Sequence, residues 1–120
     1  MTIRAIRGAT TLDIDERDHL RKRSTELVRA MMRANDITAD NLISILFTAT
    51  PDITSEFPAA AVRGLGLGDV PLMCAVEMNV QGALGRVIRV MAHAELEVPR
   101  SEVKHVYLHD SVSLRKDLAQ

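Results

Sequence analysis

Only one long stretch of this sequence carries its apolar residues at helical spacing, whereas five others carry them as strands do. From residue 16 to about residue 34, Leu20, Leu27, Val28, Met31 and Ala34 fall on one stripe of a 3.6-residue helix. Asp13 and Asp15 offer N-caps, and acids crowd the first turn (Asp15, Glu16, Asp18). Arg29 and Arg33 occupy the last turn, as the helix dipole favours, and Asn35-Asp36 ends the segment. The many arginines between 17 and 33 read mostly as its solvated face. Residues 2–12 alternate and are rich in β-branched types, so Ile3, Ala5 and Arg7 share one strand face, with Arg7 where a further apolar residue is expected. Residues 41–50 (NLISILFTAT) form a strand stopped by Pro51, with Phe47 in its buried pattern. Further strands span 70–76, 86–95 and 103–108, followed by a short polar tail. In the fourth, Val87, Arg89, Met91 and His93 lie on one face and Ile88, Val90, Ala92 and Ala94 on the other, which embeds the Arg89 charge in an apolar strand.

The connections are as informative as the elements. Residues 51–58 form a loop bracketed by two prolines, with Phe57 stranded in it. Pro58 suits a first helical position, so residues 59–63 read as a short helix running into Gly64, Gly66 and Gly68. That glycine series follows a helix instead of a strand and lacks GxGxxG spacing, which argues against a phosphate cradle. The sum is one α+β domain over residues 1–120: a five-stranded mixed β-sheet, one long amphipathic helix and short helical turns. One helix covers only part of such a sheet. The uncovered face has to meet something, and self-association is the usual answer for a small domain.

Composition limits what that domain can do. A chain of 120 residues buries roughly two-thirds of its unfolded surface, enough for a core without disulfides or a structural metal. Phe47, Phe57 and Tyr107 are the only aromatics, so the core is aliphatic, with six methionines contributing. Few aromatics and a formal net charge of -1 argue against an RNA or single-stranded DNA binder. The single Cys74 excludes an intrachain disulfide and agrees with a reducing compartment. Arg4 and Arg7 interrupt what would be a signal peptide, and the longest uncharged run, residues 41–51, is short of the ~20 residues of a membrane helix. A soluble, cytoplasmic protein is expected, with no membrane partner.

Twelve of the 15 basic residues are arginine, whose fork grips carboxylate or phosphate better than lysine does. Three of them, Arg7, Arg63 and Arg89, lie outside the solvated helix in apolar or glycine-rich settings. A buried guanidinium cannot shed its proton and needs an anionic or strongly accepting partner. Glu77 is the only acid between Asp69 and Glu95, which leaves two readings: an internal Arg-Glu pair, or arginines awaiting an anionic ligand. His105 and His109, four apart on a strand, are too far separated to share one metal, and no thiol or carboxylate pattern completes a site. No nucleophile elbow frames a serine, and Cys74 lacks a motif around it. Covalent and metal catalysis are not expected.

The stretches that resist a bland reading occur in this order: Ile-Arg7-Gly-Ala-Thr-Thr; Ala-Thr-Pro-Asp52 with Phe57-Pro; Ala-Val-Arg63; Pro-Leu-Met-Cys74-Ala-Val-Glu77-Met; Ile-Arg89-Val-Met; and His105-Val-Tyr107-Leu. Together they resemble the monofunctional chorismate mutases of the AroH class, the Bacillus type, from the first strand to Arg115. The resemblance implies a homotrimer whose sheets form a pseudo-α/β barrel with three active sites at subunit interfaces, which would account for the uncovered sheet face. It implies the Claisen rearrangement of chorismate to prephenate, a step toward Phe and Tyr, with no metal, cofactor or covalent intermediate. By resemblance Arg89 is a deeply buried cation aimed at the ether oxygen, and Arg7 and Tyr107 hold the side-chain carboxylate. Glu77 accepts a hydrogen bond from the ring hydroxyl, assisted by Cys74, and balances the positive charge. Phe57, Ala59 and Leu114 line the pocket, and Arg63 and Arg115 attract the dianion at its mouth. The chain departs from the pattern at Ala60, where some members carry Lys, in a segment one residue shorter between Arg63 and Cys74, and in a short tail after Arg115; these bear on substrate entry. The rival from another class is a non-catalytic trimeric binder of carboxylate metabolites. Retention of Glu77 beside Arg89 favours the enzyme, since a simple dianion trap has no use for an added carboxylate.

Overall fold

The computed structural model describes residues 1–114; Arg115 and the residues after it lie outside the described part. Five strands, β1 (Ile3–Thr11), β2 (Leu42–Ala49), β3 (Leu72–Val76), β4 (Val87–Glu95) and β5 (Val106–Tyr107), form one sheet in the order β3-β2-β4-β1-β5. β4 runs antiparallel to both β1 and β2, while the outer pairs β2-β3 and β1-β5 are parallel, so the sheet is mixed as expected. The long helix α1 (Arg17–Ala34) lies across one face against β1, β5 and the short helix α2 (Pro58–Val62).

The period-two pattern decides what α1 covers. Ile6, Ile45 and Ala92 meet across one row of the covered face, and Gly8, Val90, Phe47 and Cys74 across the next. With Leu20, Leu27, Val28 and Met31 of the helix stripe these form the core, in which Phe47 is fully buried. Gly8 lies directly under the helix: an added Cβ would fall onto the Met31 thioether and crowd Leu27, so only glycine lets α1 settle this close. Among the described residues no helix packs on the opposite face of the sheet.

Three sequence expectations need correction. Helix α1 is capped by neither Asp13 nor Asp15: the Glu16 side chain accepts from the Asp18 amide, and Asp15 is engaged elsewhere. Arg23 is an exception to the solvated arginine face, since it is buried and donates to the Thr11 carbonyl and to Asp13 at 2.9 Å. The fifth strand is two residues long instead of the six of 103–108. The buried Asn35 side chain takes both the amide and the carbonyl of Lys104 (2.9 Å each), which withdraws that residue from any ladder. The segment after β5 is also ordered, as a 3₁₀ turn (His109–Leu114) tied to β1 by the Ser111 hydroxyl on the Ala9 carbonyl. Among the described residues no helix is long and apolar enough to cross a membrane.

Candidate functional site

The uncovered face brings the singled-out arginines together. Strand register places Ala75, Thr48, Arg89, Ala9 and Tyr107 side by side in one row across all five strands. The next row runs Met73, Leu46, Met91 and Arg7. Side chains opposite one another in a ladder point to the same face, so two arginines and a tyrosine from three strands converge around the small Ala9. There they line a cavity of about 260 Å³ with Leu46, Thr48 and Met91.

Glu77 reaches this row from the end of β3. Its amide donates to the Ala49 carbonyl at 2.8 Å, which carries the β2-β3 pairing one residue further and turns its side chain to the open face. The carboxylate accepts from Arg89 Nε at 2.6 Å and from the Thr48 hydroxyl at 3.3 Å. The reading of an internal Arg-Glu pair therefore holds for Arg89. Arg89 has an internal partner, but through Nε alone, and 41% of its side chain is exposed. Within one copy it is not the deeply buried cation expected, because nothing among the described residues covers this face. The Arg7 guanidinium makes no polar contact among the described residues; the Arg7 amide donates to His105 Nδ1 at 2.9 Å. His109 lies apart, paired with Glu26 at 2.8 Å, so the two histidines are engaged at separate places.

The remaining expected residues fall elsewhere. Cys74 shares a row with Phe47, hence the covered side of the sheet, and cannot reach its own Glu77-Arg89 pair. It lines a second cavity of about 390 Å³ at the β3 edge, with Phe57, Pro58, Ala75 and Val76. Ala59 is buried in the core and lines neither cavity, because α2 turns it toward the hydrophobic cluster. Arg63 is exposed at the start of a 3₁₀ turn, and Leu114 is half-buried at the end of another. Arg115 lies outside the described residues. Thr48, Leu46 and Met91 were missed as site residues. Alternation around the buried Phe47 carries the signal for Thr48 and Leu46, since both must face away from the core.

The loop that presents Phe57, which is 69% exposed, is anchored by Asp15 just before α1 and by Arg21 on it, which pairs with the loop's Glu56. Asp15 accepts from the Thr54 amide (2.9 Å) and hydroxyl (3.1 Å) and from the Ser55 amide (3.2 Å). The Ser55 side chain above all, with these Thr54 and Ser55 groups, holds the Asp15 carboxyl below its ordinary 3.8 against an opposing push from burial. Glu56 is likewise lowered, first by the Phe57 amide and then by Arg21. A carboxylate with a depressed folded-state pKa stabilises fully above its unfolded value and ceases to do so as pH falls through the folded one. The loop is therefore expected to be held at neutral pH and released in acid. Limited proteolysis between residues 51 and 58 should accelerate below about pH 4 in the wild type, whereas Asp15→Asn should be cut faster already at pH 7. Equal cutting of the two proteins at pH 7 would show that Asp15 does not hold the loop.

Residues 3–118 match the family model described as chorismate mutase type I. A Thermus thermophilus protein, chorismate mutase AroH, is 44% identical over 117 residues, covering 97% of this chain and 96% of that one. The chorismate mutase AroH of Bacillus subtilis is 40% identical over 120 residues, covering 99% and 94% respectively. The solved structure of a chorismate mutase from Clostridium thermocellum superimposes with a TM-score of 0.89 at 38% identity, covering 91% of this chain and 97% of that one.

Proposed function

The chain belongs to the chorismate mutase type I family, and from that premise we propose that its open sheet face converts chorismate to prephenate by holding and polarising a dianion. The enzyme is an isomerase of aromatic amino acid biosynthesis. The observation that carries the mechanistic reading is the Arg89-Glu77 pair at 2.6 Å, in the same row as Tyr107 and next to Arg7, which has no acidic partner among the described residues.

The chemistry asks for two things. In water the enolpyruvyl side chain seldom lies over the ring, so a site that grips both carboxylates and enforces the compact conformer removes part of the barrier. As the ether C-O bond breaks and the new C-C bond forms, negative charge grows on the ether oxygen. A fixed cation there stabilises the transition state more than the ground state. Arg89 suits the second task, since Nε is already held by Glu77 and the outer guanidinium nitrogens are left to donate. Arg7 and Tyr107 hold the side-chain carboxylate, and Glu77 accepts from the ring hydroxyl while balancing the added positive charge. No step needs a metal or a covalent intermediate.

A single copy does not complete this site. Arg7, Arg89, Tyr107 and Glu77 gather on the open face, whereas Phe57 and Cys74 line a cavity on the other side of the β3 edge. A neighbouring copy bringing its Phe57-Cys74 edge against the open face would join the halves, bury Arg89 and cover the apolar surface of Leu46, Met73 and Met91. This supports a homotrimer of one-domain subunits in a pseudo-α/β barrel with interfacial sites, Ala59 packing behind each pocket, Leu114 lining it and Arg63 at its mouth.

Purified protein should consume chorismate, followed by its absorbance, in the presence of chelator, and sediment as a trimer. No acceleration over buffer would sink the enzymatic reading, and an active monomer would remove the shared site.

A further inference from the structure

Asp52, which follows Pro51 just past the end of β2, has no part in the chemistry proposed above, yet its carboxylate joins the strand ends on which that chemistry rests. One oxygen accepts from the Thr50 hydroxyl at 2.6 Å, and both accept from the Arg86 amide, at 3.2 and 2.9 Å. The Thr50 hydroxyl in turn accepts from the Val87 amide at 3.0 Å, and the Thr50 amide donates to the Val87 carbonyl at 3.0 Å. The end of β2 and the start of β4 are thus joined by one backbone bond and by a relay through the Thr50 and Asp52 side chains, of which only Asp52 reaches the Arg86 amide.

Two features show that the backbone is shaped around this carboxylate. A Cβ on Gly85 would stand 2.7 Å from Asp52 Oδ2, so glycine is what lets the oxygen reach the next amide. Arg86 adopts a left-handed conformation, φ 51°, which a non-glycine residue takes up only when something holds it. Its guanidinium is drawn off to the Leu12 carbonyl at 3.0 Å, and the Leu12 amide bonds back to the Arg86 carbonyl at 2.9 Å, which adds the end of β1 to the knot.

The reacting pair straddles this knot. Arg89 begins three residues beyond Arg86 and lies opposite Thr48 and Ala9, while Glu77 hangs from the Ala49 carbonyl. Where β4 starts relative to the ends of β1 and β2 therefore fixes where the Arg89 guanidinium stands relative to Glu77. A misplacement of about 1 Å far from the reacting atoms can cost on the order of 10²-fold in rate.

We propose that Asp52 is a positioning residue for the rearrangement: by tying the Thr50 hydroxyl to the Arg86 amide across the gap that Gly85 leaves, it sets the start of β4 and with it the Arg89-Glu77 geometry. This rests on the function proposed above. The test is steady-state chorismate turnover by Asp52→Asn and Asp52→Ala, with folding checked by circular dichroism at the assay temperature. Asp52→Asn keeps one acceptor, so kcat should fall about 10-fold, and Asp52→Ala should fall toward ~10²-fold, with KM within about threefold of wild type in both. A purely structural role lowers the melting temperature and leaves kcat of the folded enzyme unchanged, and that result overturns the inference. Should Asp52→Ala not fold, Gly85→Ala decides, since it keeps the carboxylate in the chain but displaces it from the Arg86 amide. It must reproduce the fall in kcat, and wild-type turnover in Gly85→Ala overturns the inference equally. An inactive wild type would sink the proposed function instead, so the two failures are distinguishable.

Discussion

Arg89→Lys is expected to turn chorismate over at least ~10²-fold more slowly than wild type while remaining folded, by analogy with removing one oxyanion donor. The substitution keeps the charge and removes the fork. In the wild type, Nε is bound to Glu77 at 2.6 Å, so the two duties of the side chain fall on different atoms of one rigid plane. A lysine ammonium is a single point. If it pairs with Glu77 it no longer presents an aligned donor to the ether oxygen, and if it reaches for the oxygen it leaves the carboxylate unpaired. Folding should survive because the residue lies on the open face, with 41% of its side chain exposed, and the core rows lie on the other side of the sheet. Measurement of kcat together with a thermal melt checks both halves. Near-normal turnover would remove Arg89 from the centre of the mechanism.

Glu77→Ala should lose at least ~10²-fold in kcat as well, without any weakening of binding. Without the carboxylate, the site presents Arg7 and Arg89 to a dianion with no negative charge between them, so KM is expected to stay level or fall. The released Arg89 can then settle on a substrate carboxylate, a ground-state contact that does nothing for the breaking bond. Glu77→Gln keeps a carbonyl acceptor for the ring hydroxyl and for the Arg89 donor, and loses only the charge. It should lie between wild type and Glu77→Ala, and its position between them apportions the effect between hydrogen bonding and charge. A rise in KM with unchanged kcat in Glu77→Ala would mean that the carboxylate serves binding alone.

Much of this arrangement is legible in the chain. Alternation in 86–95 puts Arg89 on a face with Met91 and away from Ile88 and Val90, and that is its place in β4. Alternation in 2–12 does the same for Arg7, and the helical stripe between 16 and 34 names the apolar residues that α1 buries, Leu20, Leu27, Val28 and Met31, but not Arg23 or Ser24. What misleads is whatever depends on a partner distant in sequence. Residues 103–108 look like a full strand, but Asn35, 69 positions before Lys104, takes the backbone groups that a ladder would use. Asp15 looks like an N-cap, but the loop at Thr54 and Ser55, about forty positions on, competes for its oxygens more effectively than the helix does. Cys74 is a different case: standing three residues before Glu77, it is sent to the other face by the strand's own period of two, so within one copy the two do not share a side.

The division has one physical cause. A strand's period of two follows from local backbone geometry, so the sequence alone determines which residues of one strand share a face: Arg7 with Ala5, Arg89 with Met91, Leu46 with Thr48. It also determines the single helix, and therefore that one face of the sheet has to go without it. Whether the Arg7 face and the Arg89 face are the same face is not a local property. That depends on which residue pairs with which across the ladder, and a slip of one position would send one arginine into the core. Only the tertiary structure, by setting Ala9 opposite Arg89 and Tyr107 beside Ala9, decided that the two guanidiniums and the tyrosine meet in one cavity.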